Sequence, residues 1–189
     1  MKKIAIVYHS GYGHTKKVAA HIFETLKKDS EVETFLFTAD EALKGLDTLD
    51  SSTTIIFGSP TYMGGPSADF KKFADATSKK WMRHAWKNKL AAGFTNSATL
   101  AGDKMATLQY FSILAAQHGM VWIGLAELSA PTKEGHGGTP DMINRVGSWL
   151  GLATQSDNVD PAHTPAPGDL KTAELFAQRI AQITKIWPL

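Results

Sequence analysis

The chain contains no cysteine. That excludes disulfides, thiolate catalysis, cysteine-ligated zinc and iron–sulfur clusters. It also lacks an excess of either charge. Lys and Arg number 20 and Asp and Glu 18, a formal net charge of +2, so no strong field points to nucleic acid or an acidic membrane surface. No apolar run approaches the ~20 residues of a membrane-spanning helix. The chain enters a strand directly after Met1-Lys2-Lys3, with no apolar signal region. A cytoplasmic protein is expected, without nucleic-acid or membrane partners. Its 7 histidines form no H-E-x-x-H motif and no tight cluster, so no metal site is expected. No internal repeat or low-complexity run interrupts the chain, and 189 residues suit one domain, 1–189, with a large core.

What the chain does have is concentrated near its start, in Tyr8-His9-Ser10-Gly11-Tyr12-Gly13-His14-Thr15. The run Ile4-Ala5-Ile6-Val7 before it reads as a buried strand. After it, Val18, Ala19, Ile22, Phe23 and Leu26 recur at helical spacing between Lys16 and Lys28. The stretch is therefore a strand-to-helix turn. Free backbone N–H groups and the helix dipole make such a turn a phosphate site. Ser10 and Thr15 add hydroxyls, and Gly11 and Gly13 let backbone approach an anion. The P-loop pattern fails for want of Gly-Lys-Ser/Thr. The dinucleotide pattern fails because Lys16 replaces its third glycine and no acid ends the second strand. A compact cradle for one phosphate remains, as FMN would need; the alternative is a tight turn with a helix cap.

Further along, strands and helices alternate. Glu31 to Thr38, Thr53 to Gly58, Leu90 to Thr95 and Val121 to Leu125 read as strands, the second of these stopped by Ser59-Pro60. Asp40 to Leu49 reads as a short helix or turn. Ser67 caps a helix bearing Phe70, Phe73 and Ala74, and further helices are expected over Asp103 to His118 and Asp169 to Lys185. A Gly/Pro-rich tract from Ala126 to Gly168 holds one short strand near Trp149 to Ala153, and His136 within it reads as a loop residue. The pattern is α/β: a doubly wound, five-stranded parallel sheet with helices on both faces.

Ligands of such sheets sit beyond the carboxyl ends of the strands. Gly58 to Pro66 follows the third strand, including Pro60, Thr61, Tyr62, Met63 and Gly64. Thr95, Asn96, Ser97, Ala98, Thr99, Leu100 and Ala101 follow the fourth. Both are polar, glycine-bearing loops able to give a flavin ring flat walls and backbone partners. Each alone could also be a simple βα connection.

Four segments then occur in one order: Ser10 to His14, Gly58 to Gly64, Phe73-Ala74-Asp75-Ala76-Thr77 through Trp81, and Gln117-His118-Gly119-Met120-Val121. In this the chain resembles the flavodoxin-like, FMN-dependent NAD(P)H:quinone oxidoreductases related to the tryptophan-repressor-binding protein, well over residues 1 to 125 and loosely beyond. The resemblance implies a flavodoxin-like fold, with the FMN phosphate in Ser10, Gly11, Tyr12, Gly13, His14 and Thr15 and the isoalloxazine between the second and third loops. It implies that Tyr12 lies near the nicotinamide and that His118 lines the site over the flavin as the catalytic residue. Trp81 would close the substrate pocket, often from a neighbouring subunit. Tyr62 stands where close relatives carry arginine. NAD(P)H is the implied co-substrate, and a quinone or similar planar molecule the acceptor.

Other features leave alternatives. His118 ends an apolar helix, where a C-cap role is equally expected. Lys79 to Lys89, a basic-aromatic run, reads as a solvated loop or as a lid whose cations attract the NADPH 2′-phosphate. The helix carrying Met105, Leu108, Tyr110, Phe111, Ile113 and Leu114 is apolar beyond one core stripe, so it is deeply buried or meets another subunit, as in a homodimer or homotetramer. A flavodoxin-type electron carrier remains the alternative function. A phospho-receiver domain lacks its acid cluster where His9-Ser10 stands.

Overall fold

The computed structural model describes residues 1–129 and 139–188; His136 lies outside them. The chain runs β1 (Lys2–Tyr8), α1 (His14–Leu26), β2 (Val32–Thr38), α2 (Ala39–Lys44), α3 (Leu46–Asp50), β3 (Thr54–Tyr62), β4 (Gly65–Pro66), α4 (Ala68–Ala76), α5 (Ser78–Met82), β5 (Leu90–Ser97), α6 (Lys104–Gln117), β6 (Val121–Trp122), β7 (Leu152–Gln155) and α7 (Pro167–Ile186). The sheet order is β2-β1-β3-β5-β6, with β7 also on β5 and the two-residue β4 turned back antiparallel on β3. The core strands are parallel.

Alternation along β1 builds two cores. Ile4, Ile6 and Tyr8 face the layer of α1 and α7 with Val18, Ile22, Phe176 and Ile180. Ala5 and Val7 face the other layer with Phe57, Phe70, Phe73, Leu108 and Phe111. Burying each large apolar side chain is worth roughly 1.5–3 kcal/mol, so these layers fix which strand ends lie side by side. Helix starts follow local chemistry. Thr38 and Glu41 form a reciprocal capping box on α2, and Ser67 Oγ accepts from Phe70 N on α4 as expected.

Two strands differ from expectation. β3 does not stop at Ser59-Pro60 but pairs with β5 through Pro60↔Asn96. β1 has ended opposite Gly58, and a proline without N–H is tolerated where one flank is unpaired. The fifth sheet position is shared by two short strands. β6 pairs with Leu90 and Ala91 at the start of β5, and β7 with Phe94 to Ser97 at its end. Gly124 packs against the Trp149 carbonyl, 2.7 Å from where its Cβ would stand.

The segment leading into β7 is fastened by a buried ion pair. Arg145 donates from Nε and Nη2 to the Asp169 carboxylate, both at 2.9 Å, and Asp169 also accepts Gln155 N at 2.8 Å. The side chains are 6% and 2% exposed. Burial pushes the Asp169 carboxyl up, and the Arg145 hydrogen bond opposes it.

Part of the basic-aromatic run closes the amino end of the sheet, while Trp81 to His84, Lys87 and Asn88 are exposed. Trp86 is fully buried and donates to Asp50. Lys80 is held by Asp47 and Asp50, and Lys89 by the carbonyls of Asp50 and Ser52. Against Trp86 lies His118, the C-cap of α6, with ring centroids 4.4 Å apart. Thr77 Oγ1 donates to the Ala74 carbonyl, so His118 Nε2 must donate to Thr77 Oγ1 at 2.9 Å. Nδ1 is then an unprotonated, unpartnered nitrogen. Burial pushes the ring down to about 4, so its cap role at neutral pH is that of a neutral ring, without a charge on the dipole.

Two outcomes are expected. Asp169→Ala should destabilise the fold by about 3–5 kcal/mol in urea denaturation, because it strands a buried guanidinium, while Arg145→Met/Asp169→Leu should recover most of that. The folded His118 value lies below the 6.5 of an ordinary histidine. The folded state therefore binds fewer protons than the unfolded chain between that pH and about 4, and stability falls as pH drops through this window. His118→Phe should flatten that slope relative to wild type. An imidazole titrating at its ordinary value by NMR would contradict the assignment.

Candidate functional site

The carboxyl ends of β1, β3 and β5 release their loops side by side because Tyr8 pairs with Gly58 and Gly58 with Phe94. In the first loop Ser10 Oγ accepts Gly13 N at 3.1 Å, and Gly13, at φ 93, turns the chain into α1. A Cβ on Gly13 would meet Pro161 at 2.9 Å, and one on Gly11 the Tyr62 hydroxyl at 2.6 Å. The amides of His14, Thr15 and Lys16, at the start of α1, have no acceptor among the described residues. Thr15 is buried and Tyr12 exposed.

The second loop is largely strand. Pro60, Thr61 and Tyr62 belong to β3, and Met63 and Gly64, at φ 48 and 83, form the hairpin turn to β4. Thr61 Oγ1 lies 2.8 Å from the hydroxyls of both Thr95 and Thr107, a buried knot that ties β3, β5 and α6 together. Tyr62 meets Tyr12 edge-on at 6.3 Å, and burial pushes its phenol up. In the third loop Asn96 Oδ1 accepts from Thr154 at 2.8 Å and Ser156 at 2.9 Å. Thr95 is wholly buried and acts within this framework, while Ala98, Thr99, Leu100 and Ala101 are exposed.

Together these elements line a cleft of about 170 Å³ bearing Ser10, Tyr12, His14, Thr15, Pro60, Thr61, Tyr62, Asn96, Ser97 and Ala98. It adjoins a hollow of about 420 Å³ at Tyr12, His14 and Val159. A further wall comes from residues the sequence reading passed over: Ser156 and Asn158, just after β7. His14 Nε2 donates to the Val159 carbonyl at 2.8 Å, and Lys17 Nζ to those of Pro161 and Ala162 at 2.6 and 3.0 Å. The signal for them was the polar run Gln155-Ser156-Asp157-Asn158 after a short strand. Among the described residues no carboxylate lines the cleft. Unsatisfied amides, hydroxyls and α1's dipole fit a phosphate, and the paired tyrosines fit a flat ring system.

Trp81 and His118 are not at this cleft. α6 is 14 residues long, so its C-cap His118 stands ~21 Å beyond the third loop. Both residues line a different hollow of about 330 Å³, with Thr77, Tyr110 and Leu114. Within one chain His118 and Trp81 therefore stand apart from the flavin loops, because α6 carries its C-terminus back to the opposite end of the sheet. Among the described residues no cluster could hold a metal ion, and no helix is long and apolar enough to cross a membrane.

A family model described as NADPH-dependent FMN reductase matches residues 3–135. The chain is 42% identical over 184 residues to "Flavodoxin FldP" of Pseudomonas aeruginosa (strain UCBPP-PA14), covering 97% of each chain. It is 29% identical over 213 residues to an "NAD(P)H dehydrogenase (quinone)" of Archaeoglobus fulgidus, covering 98% of each. Its structure matches that of a WrbA-like flavodoxin from Agrobacterium tumefaciens with a TM-score of 0.74, 38% identity and 99% coverage of both. The flavodoxin-like fold, the flavin FMN and oxidoreductase chemistry expected from the sequence are those of these relatives. With the family model matched over residues 3–135 and the parallel sheet in agreement, the chain belongs to the NADPH-dependent FMN reductase family.

Proposed function

We propose that the chain is an FMN-dependent oxidoreductase that takes hydride from NAD(P)H and passes two electrons to a planar acceptor of the quinone class. The observation that supports this best is the meeting of α1's unsatisfied amides with Ser10, Thr15, Tyr12 and Tyr62 in one cleft free of carboxylates among the described residues. When bound, FMN supplies the hydride-accepting N5 and two-electron chemistry. The chain's own part is binding and orientation. The Ser10 and Thr15 hydroxyls and the His14 to Lys16 amides hold the phosphate. Asn96 and its hydroxyl partners keep the third loop rigid. Tyr12 and Tyr62 supply apolar walls that exclude water and admit flat substrates one at a time.

In this proposal Trp81 and His118 reach a flavin only from a second copy, in a homodimer or homotetramer. Met105 and Ile113 on α6 are exposed and offer an apolar contact. A second reading, an electron carrier, is favoured by the relative named a flavodoxin; the balanced charge of this chain favours the enzyme.

Titration of apo-protein with FMN should show Ser10→Ala/Thr15→Ala weakening binding at least tenfold, since each hydrogen bond to a charged group contributes roughly 1.5–3 kcal/mol. Steady-state kinetics with NADPH and a quinone should give parallel double-reciprocal lines, as alternate occupation of one slot requires. Intersecting lines would overturn the shared slot, and FMN binding without NAD(P)H turnover would select the carrier.

A further inference from the structure

Lys104 is a lysine that water barely reaches: it is 2% exposed at the first position of α6. Its ammonium donates to the Thr99 carbonyl and, at 3.0 Å, to the Leu100 carbonyl. In sequence it looks like a surface residue of Gly102-Asp103-Lys104. Burying such a charge is costly unless its hydrogen bonds are met and the charge is used. Burial pushes it down to about 8, with Asp169 opposing that shift and Arg145 adding to it. Those two residues, from α7 and the segment before β7, are the charged groups that act on it. They are already bound to each other, so Lys104 has no carboxylate of its own.

The geometry of a peptide gives this arrangement a direction. The carbonyl of Thr99 and the amide of Leu100 belong to one planar unit and point oppositely, as do the carbonyl of Leu100 and the amide of Ala101. Drawing both carbonyls onto the ammonium turns both amides outward, and neither has an acceptor among the described residues. The loop that carries them continues from Ser97 and Ala98, which line the cleft.

We propose that Lys104 is a positioning residue for the flavin: it presents the Leu100 and Ala101 amides to the pyrimidine edge and holds a positive charge behind them. The inference rests on the flavin reading above. A flavin that has accepted hydride carries its added negative charge along N1–C2=O. Donors and a buried cation there favour the reduced over the oxidised form, because an oriented charge acts strongly where water is excluded.

The test is the midpoint potential of bound FMN, measured anaerobically against reference dyes in wild type, Lys104→Met and Lys104→Arg. Lys104→Met should lose at least tenfold in affinity for reduced relative to oxidised FMN, about 30 mV for two electrons, and Lys104→Arg should recover most of it. In wild type the charge is present below about pH 8 and lost above it. The plot of potential against pH should therefore bend there, and the bend should be missing from Lys104→Met. If Lys104→Met does not fold, the wild-type bend and Lys104→Arg decide. A flavin bound at a potential indifferent to Lys104, or a wild-type plot with no such bend, overturns this inference alone. A wild-type protein that takes up no FMN overturns the flavin reading with it.

Discussion

The whole arrangement depends on the contact between Gly58 and Phe94. The Phe94 ring lies over Gly58 so closely that a Cβ there would sit 2.1 Å from it. Gly58 also pairs with Tyr8 and accepts His9 N. At this level β1, β3 and β5 reach the end of the sheet together, and their loops leave into the same space. Any side chain at position 58 would displace Phe94, and with it the place where β7 joins β5, since Phe94 pairs with Leu152.

From that level the two ends of the sheet take opposite chemistry. At the amino end, cations are consumed: Lys80 and Lys89 are tied to Asp47, Asp50 and nearby carbonyls, and Trp86 and a neutral His118 fill the gap between them. At the carboxyl end, donors are left over, in the amides of α1 and of the third loop. Backbone donors need acceptors, and a ligand bound there can supply them.

Much of this was legible in the sequence. The strand-loop-helix around Ser10 to Thr15, the Ser67 cap and the parallel sheet follow from short β-branched runs, glycine placement and helical spacing, which are local signals. What failed was non-local. Ser59-Pro60 looked like a stop, yet β5 carries β3 past it. The split of the fifth sheet position into β6 and β7 depends on where a long connection returns. Ser156 and Asn158 stood after a strand whose carboxyl end could have been treated like the others. His118 had two readings, and the C-cap one matches the end of α6; nothing in the sequence marked Lys104, because burial, not residue type, decides what a lysine does.

The most direct measurement is an amide NMR titration of the apo-protein with FMN. The amides of His14, Thr15 and Lys16 should move most, together with those of the third loop, as a phosphate and a ring edge supply the acceptors they lack. If those amides stay in place while the flavin binds, the phosphate lies elsewhere and the central claim is wrong.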